Sequence, residues 1–219
     1  MVEVSTSILS VKKGDESETF FKLEKAKTDY FHIDVMDGKF VENDTYEKML
    51  GYAQYIKRIS NLPLDVHLMV EDVKSAINDF VGVEPNIITF HYEACKNKEE
   101  IFEIIKQIKD NNCKVGISVK PNTNIEEIYE FLPYISLLLV MTVEPGKGGQ
   151  KLISKTIKKI SKLKEYLYQN NLETYIEADG GINGENVKEL KEAGVDIVVA
   201  GSYIINSEDY AKSIKELKK

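Results

Sequence analysis

Eight short apolar runs, separated by longer amphipathic stretches, constrain the fold of this chain more than any other feature. Each run is roughly four to eight residues long and rich in Ile and Val, as buried parallel strands are. The stretches between them, such as 98–111 and 154–170, repeat Ile and Leu at three- and four-residue spacing, which predicts surface helices. The runs are residues 2–9, 30–35, 64–70, 86–91, 114–119, 136–143, 174–178 and 196–200.

This alternation continues without a linker or a low-complexity segment. A chain of 219 residues with 42% apolar content is long enough to bury the core of one domain. Eight strand–helix units favour a closed (β/α)8 TIM barrel over a doubly wound α/β sheet. We therefore predict an α/β protein with one barrel domain over residues 1–219, whose functional groups lie at the carboxyl ends of the strands.

Composition argues against several classes of partner. The formal net charge of −7 and the isoelectric point near 5.2 argue against binding to nucleic acid. Cys95 and Cys113 form no C-x-x-C pattern, so we expect a reducing compartment. The amino terminus lacks a signal-like apolar segment, and the run 134–143 is too short to cross a bilayer of about 30 Å. We expect a cytoplasmic protein with no membrane partner.

Histidine and aspartate side chains follow or end several of the apolar runs. His32, His67 and His91 each fall at the end of an apolar strand in this prediction, at equivalent positions of three runs. His32 and Asp34 are two residues apart, so both point toward the barrel axis. With Asp179, from the seventh run, His32, Asp34 and His67 form a mixed nitrogen and oxygen set suited to Zn²⁺, Fe²⁺, Mn²⁺ or Co²⁺. An inward ion-pair network that stabilises the barrel explains the same spacing equally well.

Glycine-rich segments follow the last three runs, at 143–150, 179–183 and 200–202. Backbone amides without side chains can approach phosphate oxygens, and loops after strands seven and eight of barrels commonly bind phosphate. Any one of these loops could be a simple tight turn, but three together favour a phosphate site.

Lys120, after the fifth run, suggests a rival chemistry, because a lysine at a strand end can form a Schiff base. The following Pro121, Asn122 and Thr123 instead indicate a solvated turn, and no sequence feature predicts the desolvated pocket that such a lysine needs.

Together, these segments resemble the ribulose-phosphate 3-epimerase family and span nearly the whole chain. The HIDVMDG and VEPGxGGQ stretches, in register with DGGIN, are highly specific. The matching segments are SILS at 7–10, HIDVMDG at 32–38, DVHLMV at 65–70, HYE at 91–93, MTVEPG at 141–146, GGQ at 148–150, DGGIN at 179–183 and AGS at 200–202.

The resemblance implies a ribulose-phosphate-binding barrel and an isomerase of the pentose phosphate pathway. Such an enzyme interconverts D-ribulose 5-phosphate and D-xylulose 5-phosphate through a cis-enediolate. The resemblance implies that His32, Asp34, His67 and Asp179 hold one divalent metal ion, with Asp34 and Asp179 also acting as acid and base. It further implies that Met36, Met69 and Met141 line the site, and that the substrate contacts are Ser7, His67, Gly146, Lys147, Gly148, Gly149, Asp179, Gly180, Gly181, Gly201 and Ser202.

Two alternatives share these motifs. One is a 3-epimerase for D-allulose 6-phosphate, although such relatives typically depart from SILS and DGGIN; the other is a non-catalytic phosphosugar-binding barrel. Thr6 and Glu42 stand where the family usually has proline, and Lys147 stands where it usually has an aromatic residue. The resemblance is compatible with any of the four metals and with a homo-oligomer.

Overall fold

A closed barrel of parallel strands forms the centre of the computed structural model, which describes residues 2–219. Each strand pairs with its sequence neighbours, and the last strand pairs with the first. All eight strands lie within one residue of the predicted runs or are shorter than them, which confirms the (β/α)8 barrel. The strands are β1 Glu3–Ser7, β2 Tyr30–Met36, β3 Leu64–Met69, β4 Ile87–His91, β5 Lys114–Val119, β6 Leu137–Met141, β7 Tyr175–Asp179 and β8 Ile197–Ala200.

Helices surround this barrel. Three of them begin with a side-chain cap, in which Asp72, Asn97 and Asp209 accept hydrogen bonds from backbone amides of the first turn. None of the helices formed by residues 2–219 is both long and apolar enough to span a membrane. The helices are α1 Glu16–Lys25, α2 Tyr46–Ile59, α3 Val73–Phe80, α4 Lys98–Asp110, α5 Lys155–Gln169, α6 Val187–Ala193, α7 Ser202–Ile205 and α8 Tyr210–Lys218.

The crossover between β5 and β6 differs from the others. Two 3-10 helices, Ile125–Ile128 and Leu132–Tyr134, replace an α-helix there. Pro133 lies in the first turn of the second 3-10 helix and has no amide hydrogen, so a continuous α-helix from Ile125 would lose a backbone hydrogen bond at this point. The two helices predicted at 98–111 and 154–170 are present as α4 and α5.

The barrel interior is divided between an apolar and a polar part. Outward-facing strand residues pack with the helices in the large apolar core, whereas a separate small cluster fills part of the interior. That inner cluster consists of Ile87, Leu137, Leu139, Met141, Val143 and Ile197. The rest of the interior contains buried polar residues at every second position of their strands, namely Ser5, Ser7, His32, Asp34, Asp65, His67, Thr89, His91, Ser118 and Glu177. Sequence spacing therefore brings these polar groups into one enclosed space.

Gly116, on β5, lies close to side chains of both neighbouring strands. A Cβ atom there would overlap Thr89 Oγ1 and lie 2.9 Å from Thr89 Cβ and 3.1 Å from Leu137 Cδ2. We expect Gly116→Ala to lower the free energy of unfolding by about 1–3 kcal/mol, measured by urea denaturation. Gly51→Ala is the control, because a Cβ on α2 there meets none of the described atoms within 4 Å. It should stabilise the protein by about 0.5–1 kcal/mol, and equal effects of both substitutions would contradict the close packing at Gly116.

Candidate functional site

The four residues predicted as metal ligands come together at the carboxyl end of the barrel. His32 and Asp34 come from β2, His67 from β3 and Asp179 from the end of β7. Their ligand atoms all lie within 4.8 Å of one another. Asp34 Oδ1 is 3.5 Å from His32 Nε2 and 3.7 Å from His67 Nδ1, and His67 Nδ1 is 3.8 Å from Asp179 Oδ2. These distances are longer than hydrogen bonds and leave a space between the four groups.

Two imidazole nitrogens face this space without a partner. His32 Nε2 and His67 Nδ1 are buried and have no hydrogen-bond partner within residues 2–219. Buried polar atoms are rarely left unpaired, because burial without a partner costs free energy. A divalent cation among two imidazoles and two carboxylates would satisfy both nitrogens, and this donor set suits Zn²⁺, Fe²⁺, Mn²⁺ or Co²⁺. The residues present therefore fit a metal ion.

The ionised carboxylate of Asp34 favours a positive charge in the space between the four candidate ligands. Ser7 Oγ donates a hydrogen bond of 2.6 Å to Asp34 Oδ2, which leaves Oδ1 facing the imidazoles. Burial alone would raise the pKa of Asp34, but the charge of the nearby His32 holds it well below its usual range. Burial would lower the pKa of His32, but Asp65 and then Asp34 raise it well above its ordinary value.

Asp179 differs from Asp34 in its affinity for protons. Burial raises the pKa of Asp179 to about 6, and the negative charge of Asp34 contributes in the same direction. The two carboxylates therefore have pKa values that differ in opposite directions from an ordinary aspartate, as is common where a pair of carboxylates takes different roles.

A second group of polar residues lies deeper in the barrel than the four candidate ligands. His32 Nδ1 is 2.6 Å from Asp65 Oδ2, and Ser5 Oγ donates to the same oxygen at 2.8 Å. Burial, and then the charge of Asp65, raise the pKa of Glu177 well above its ordinary value. Neither Asp65 nor Glu177 is among the functional residues predicted from the sequence. The signal was available, because Asp65 precedes His67 by two residues and Glu177 precedes Asp179 by two, the same spacing as His32 and Asp34.

The sequence predicted all three histidines at strand ends, and the structure places only one of them there. His91 is the last residue of β4, but His32 and His67 lie within their strands. His91 is not one of the four candidate ligands; its Nε2 lies 3.0 Å from His67 Nε2, and its Nδ1 lies 3.1 Å from Glu93 Oε2. Burial lowers the pKa of His91 to about 4, against the opposing effect of Glu93.

A cavity of about 320 Å³ opens above the four groups, a size that suits a small phosphorylated ligand. His32 and His67 do not line this cavity, so both lie below its surface. Lys120 does not line it either, and its Nζ instead lies 4.2 Å from the centre of the Phe40 ring. The predicted residues that do line the cavity are Ser7, Asp34, Met36, Met69, Met141, Gly146, Lys147, Gly148, Gly149, Asp179, Gly180, Gly181, Gly201 and Ser202.

The glycine-rich loops of this cavity have defined shapes. The backbone at Gly181 has a φ of +67°, and a Cβ there would lie 2.5 Å from Leu152 N and 2.7 Å from Gln150 O. Gln150 Nε2 donates hydrogen bonds to Glu144 O at 2.7 Å and to Lys147 O at 2.9 Å. Glycine at 181 therefore allows the loop after β7 to lie against the loop after β6.

Metal binding can be tested by melting temperature. We expect chelator-treated protein to bind one equivalent of Co²⁺ or Zn²⁺ and to melt at a higher temperature, because a ligand at a hundred times its Kd stabilises by about 2.7 kcal/mol. Asp179→Asn should reduce this gain, and it is the ligand variant least disruptive to the fold because Asp179 is the most exposed of the four. Equal melting temperatures of the wild type with and without metal would contradict the site.

Similar barrels occur among solved structures of other proteins. A 3-hexulose-6-phosphate synthase superposes with a TM-score of 0.73 at 15% identity, covering 99% of this chain and 98% of that one. KGPDC from Streptococcus mutans superposes with a TM-score of 0.75 at 12% identity, covering 99% of this chain and 95% of that one. At such identities the likeness shows a shared fold.

Sequence comparison is more specific. Residues 3–205 match the Ribulose-phosphate 3 epimerase family. The chain is 41% identical over 218 residues to ribulose-phosphate 3-epimerase of Methanocaldococcus jannaschii, covering 100% of this chain and 90% of that protein. It is 36% identical over 219 residues to the enzyme of the same name from Bacillus subtilis, covering 100% and 99%. The family match and these identities along the whole chain show that it belongs to the ribulose-phosphate 3-epimerase family and is an isomerase.

Proposed function

We propose that this chain interconverts D-ribulose 5-phosphate and D-xylulose 5-phosphate in a metal-dependent reaction, with Asp34 and Asp179 as the acid and base. The observation that carries the proposal is the placement of these two carboxylates. Both line the cavity, and they come from β2 and β7, which are separated by β1 and β8 around the barrel wall. The carboxylates therefore approach a bound sugar from different sides.

Epimerisation at C3 needs this two-sided arrangement. One carboxylate removes the proton from C3 on one face, which gives a cis-enediolate, and the other returns a proton to the opposite face. In the reverse reaction the two aspartates exchange roles. Ser7 holds the Oδ2 atom of Asp34 by a hydrogen bond, so the orientation of this carboxylate is set before the substrate binds.

His32, Asp34, His67 and Asp179 would hold the divalent cation. Such an ion supplies a Lewis acid that stabilises negative charge on the oxygens next to the reacting carbon. The methionines at 36, 69 and 141 line the cavity and contribute apolar surface around that carbon.

The substrate phosphate would bind the glycine-rich loops at 146–149, 180–181 and 201–202. These loops line the same cavity as the aspartates, and phosphate sites of barrels commonly use the loops after strands seven and eight. Because the chain has a net charge of −7, the phosphate must be attracted locally, by backbone amides and by Lys147.

Replacing either aspartate tests the acid and base assignment. We expect Asp34→Asn and Asp179→Asn each to lower turnover of D-ribulose 5-phosphate by more than tenfold, which is about 1.4 kcal/mol. In D2O, the wild type should form epimerised product that carries deuterium at C3, and the variants should not form this product. Metal content is measured in parallel, because both residues are also candidate ligands.

The control for these variants is Glu185→Gln, which makes the same chemical change at an exposed position after β7. It should keep wild-type turnover. Retention of more than about a tenth of the activity by either aspartate variant would remove the acid and base assignment. Turnover of D-allulose 6-phosphate but not of the pentulose by the wild type would redirect the substrate assignment.

Gly181→Ala tests the phosphate loops. The new Cβ would displace the backbone at Gln150 and Leu152, so we expect KM for D-ribulose 5-phosphate to rise by roughly 10- to 100-fold, the value of one or more charge-assisted hydrogen bonds. Gly82→Ala serves as the control, since a Cβ there meets none of the described atoms within 4 Å. An unchanged KM for Gly181→Ala would show that this loop does not contact the phosphate.

A further inference from the structure

His91 and Glu93 form a buried pair that the proposed reaction does not use. His91 is fully buried at the end of β4, and Glu93 lies two residues beyond it. Two consecutive contacts connect the pair to His67. His67 Nε2 is 3.0 Å from His91 Nε2, and His91 Nδ1 is 3.1 Å from Glu93 Oε2. The far side of Glu93 is also occupied, because its Oε1 accepts hydrogen bonds from the Lys120 amide and the Thr123 hydroxyl.

We propose that Glu93 and His91 are positioning residues that hold His67 in the tautomer whose Nδ1 lone pair faces Asp34 and Asp179. The inference rests on the metal site of the proposed function and adds the groups that prepare one of its ligands.

The direction of each hydrogen bond follows from the chemistry of the groups. An ionised carboxylate only accepts, so His91 carries its proton on Nδ1 and donates it to Glu93. The Nε2 atom of neutral His91 then has a lone pair, and the proton between the two imidazoles must belong to His67 Nε2. His67 Nδ1 is left without a proton, which is the state that a metal ligand requires.

The other histidine ligand has a shorter arrangement of the same kind. His32 Nδ1 contacts Asp65 Oδ2 directly at 2.6 Å, and its Nε2 faces the space between the ligands. Metal-binding histidines commonly donate their second N–H to a carboxylate, which fixes the ring and its tautomer. His67, on β3, is connected to a carboxylate indirectly, because His91 lies between it and Glu93. Each of the two histidine ligands is therefore linked to a carboxylate, His32 to Asp65 and His67 to Glu93.

The surroundings protect the His67 arrangement from water. The Phe40 ring lies 4.9 Å from the His91 ring, centre to centre, and the ammonium group of Lys120 lies on the Phe40 ring. The centres of the His67 and His91 rings are 5.0 Å apart and their planes are inclined by 28°, which suits an edge-to-edge hydrogen bond between the two rings. With both imidazoles fully buried, the hydrogen bonds described here are the ones available to His91.

Glu93→Gln tests the proposal with a side chain of nearly the same shape. The Lys120 backbone amide can only donate, so the carboxamide oxygen must take the place of Oε1 and the NH2 group must face His91. Each hydrogen bond in the line then reverses, and the proton moves to His67 Nδ1. We expect Co²⁺ affinity, measured by competition with a chelator, to fall by about 10- to 100-fold.

A second measurement reads the tautomer directly. The chain has 3 histidines, so nitrogen NMR of metal-free, ¹⁵N-histidine-labelled protein gives a spectrum that can be assigned residue by residue. We expect the His67 proton on Nε2 in the wild type and on Nδ1 in Glu93→Gln. If the wild type binds no Co²⁺, the proposed metal site fails, and the NMR result alone then supports or overturns the positioning role.

Two further variants separate positioning from general support of the fold. Thr123→Val removes a hydrogen bond from the far oxygen of Glu93 and should keep Co²⁺ affinity within about threefold of wild type, whereas His91→Phe should weaken it as much as Glu93→Gln does. In the His91→Phe background, Glu93→Gln should add less than about threefold, because the connection to His67 is already broken. An unchanged affinity and tautomer in Glu93→Gln, or an equal loss in Thr123→Val, would overturn the proposal.

Discussion

A negative charge buried inside the barrel is the constraint on which the rest of the site depends. Asp34 is 5% exposed, and an uncompensated carboxylate at such a position would be strongly destabilising. Ser7 satisfies one of its oxygens, and the imidazoles of His32 and His67 face the other. Those imidazoles are in turn held by Asp65 and by His91. One buried charge therefore explains why so many polar groups lie in the interior.

This interior is arranged for chemistry at some cost in stability. The large apolar core lies outside the strands, between them and the helices, while the inner apolar cluster fills only part of the barrel. Thr89 Oγ1, Ser118 Oγ and both carboxyl oxygens of Glu177 are buried without a hydrogen-bond partner in the described chain. Active sites commonly contain such unfavourable groups, and the surrounding fold supplies the stability that tolerates them.

Much of the fold and of the candidate site was predictable from sequence, because both follow from residue patterns that repeat over a few positions. Runs of Ile and Val indicated the eight strands, and the two-residue spacing placed Asp34 beside His32. The crossover at Ile125–Tyr134 was harder, because its apolar spacing resembles a helix and only Pro133 opposes one. Spacing also indicates that Asp65 faces the interior, but it does not predict that Asp65 meets His32 or that His91 meets His67, because the stagger between strands decides which inward groups are in contact.

The pairing of β2 with β3 has a consequence for how the barrel reaches its correct alignment. His32 lies beside Asp65 and Asp34 beside His67 in the native register. A slip of one residue would turn the polar side chains toward the helices, but a slip of two preserves every inward and outward position, so burial of apolar surface discriminates poorly against it. In one direction that slip would place Asp34 beside Asp65, and like charges on neighbouring strands repel. The charged residues of the site therefore help to specify the strand register. They destabilise a barrel with β2 shifted by two residues, which apolar burial alone would not distinguish from the native one.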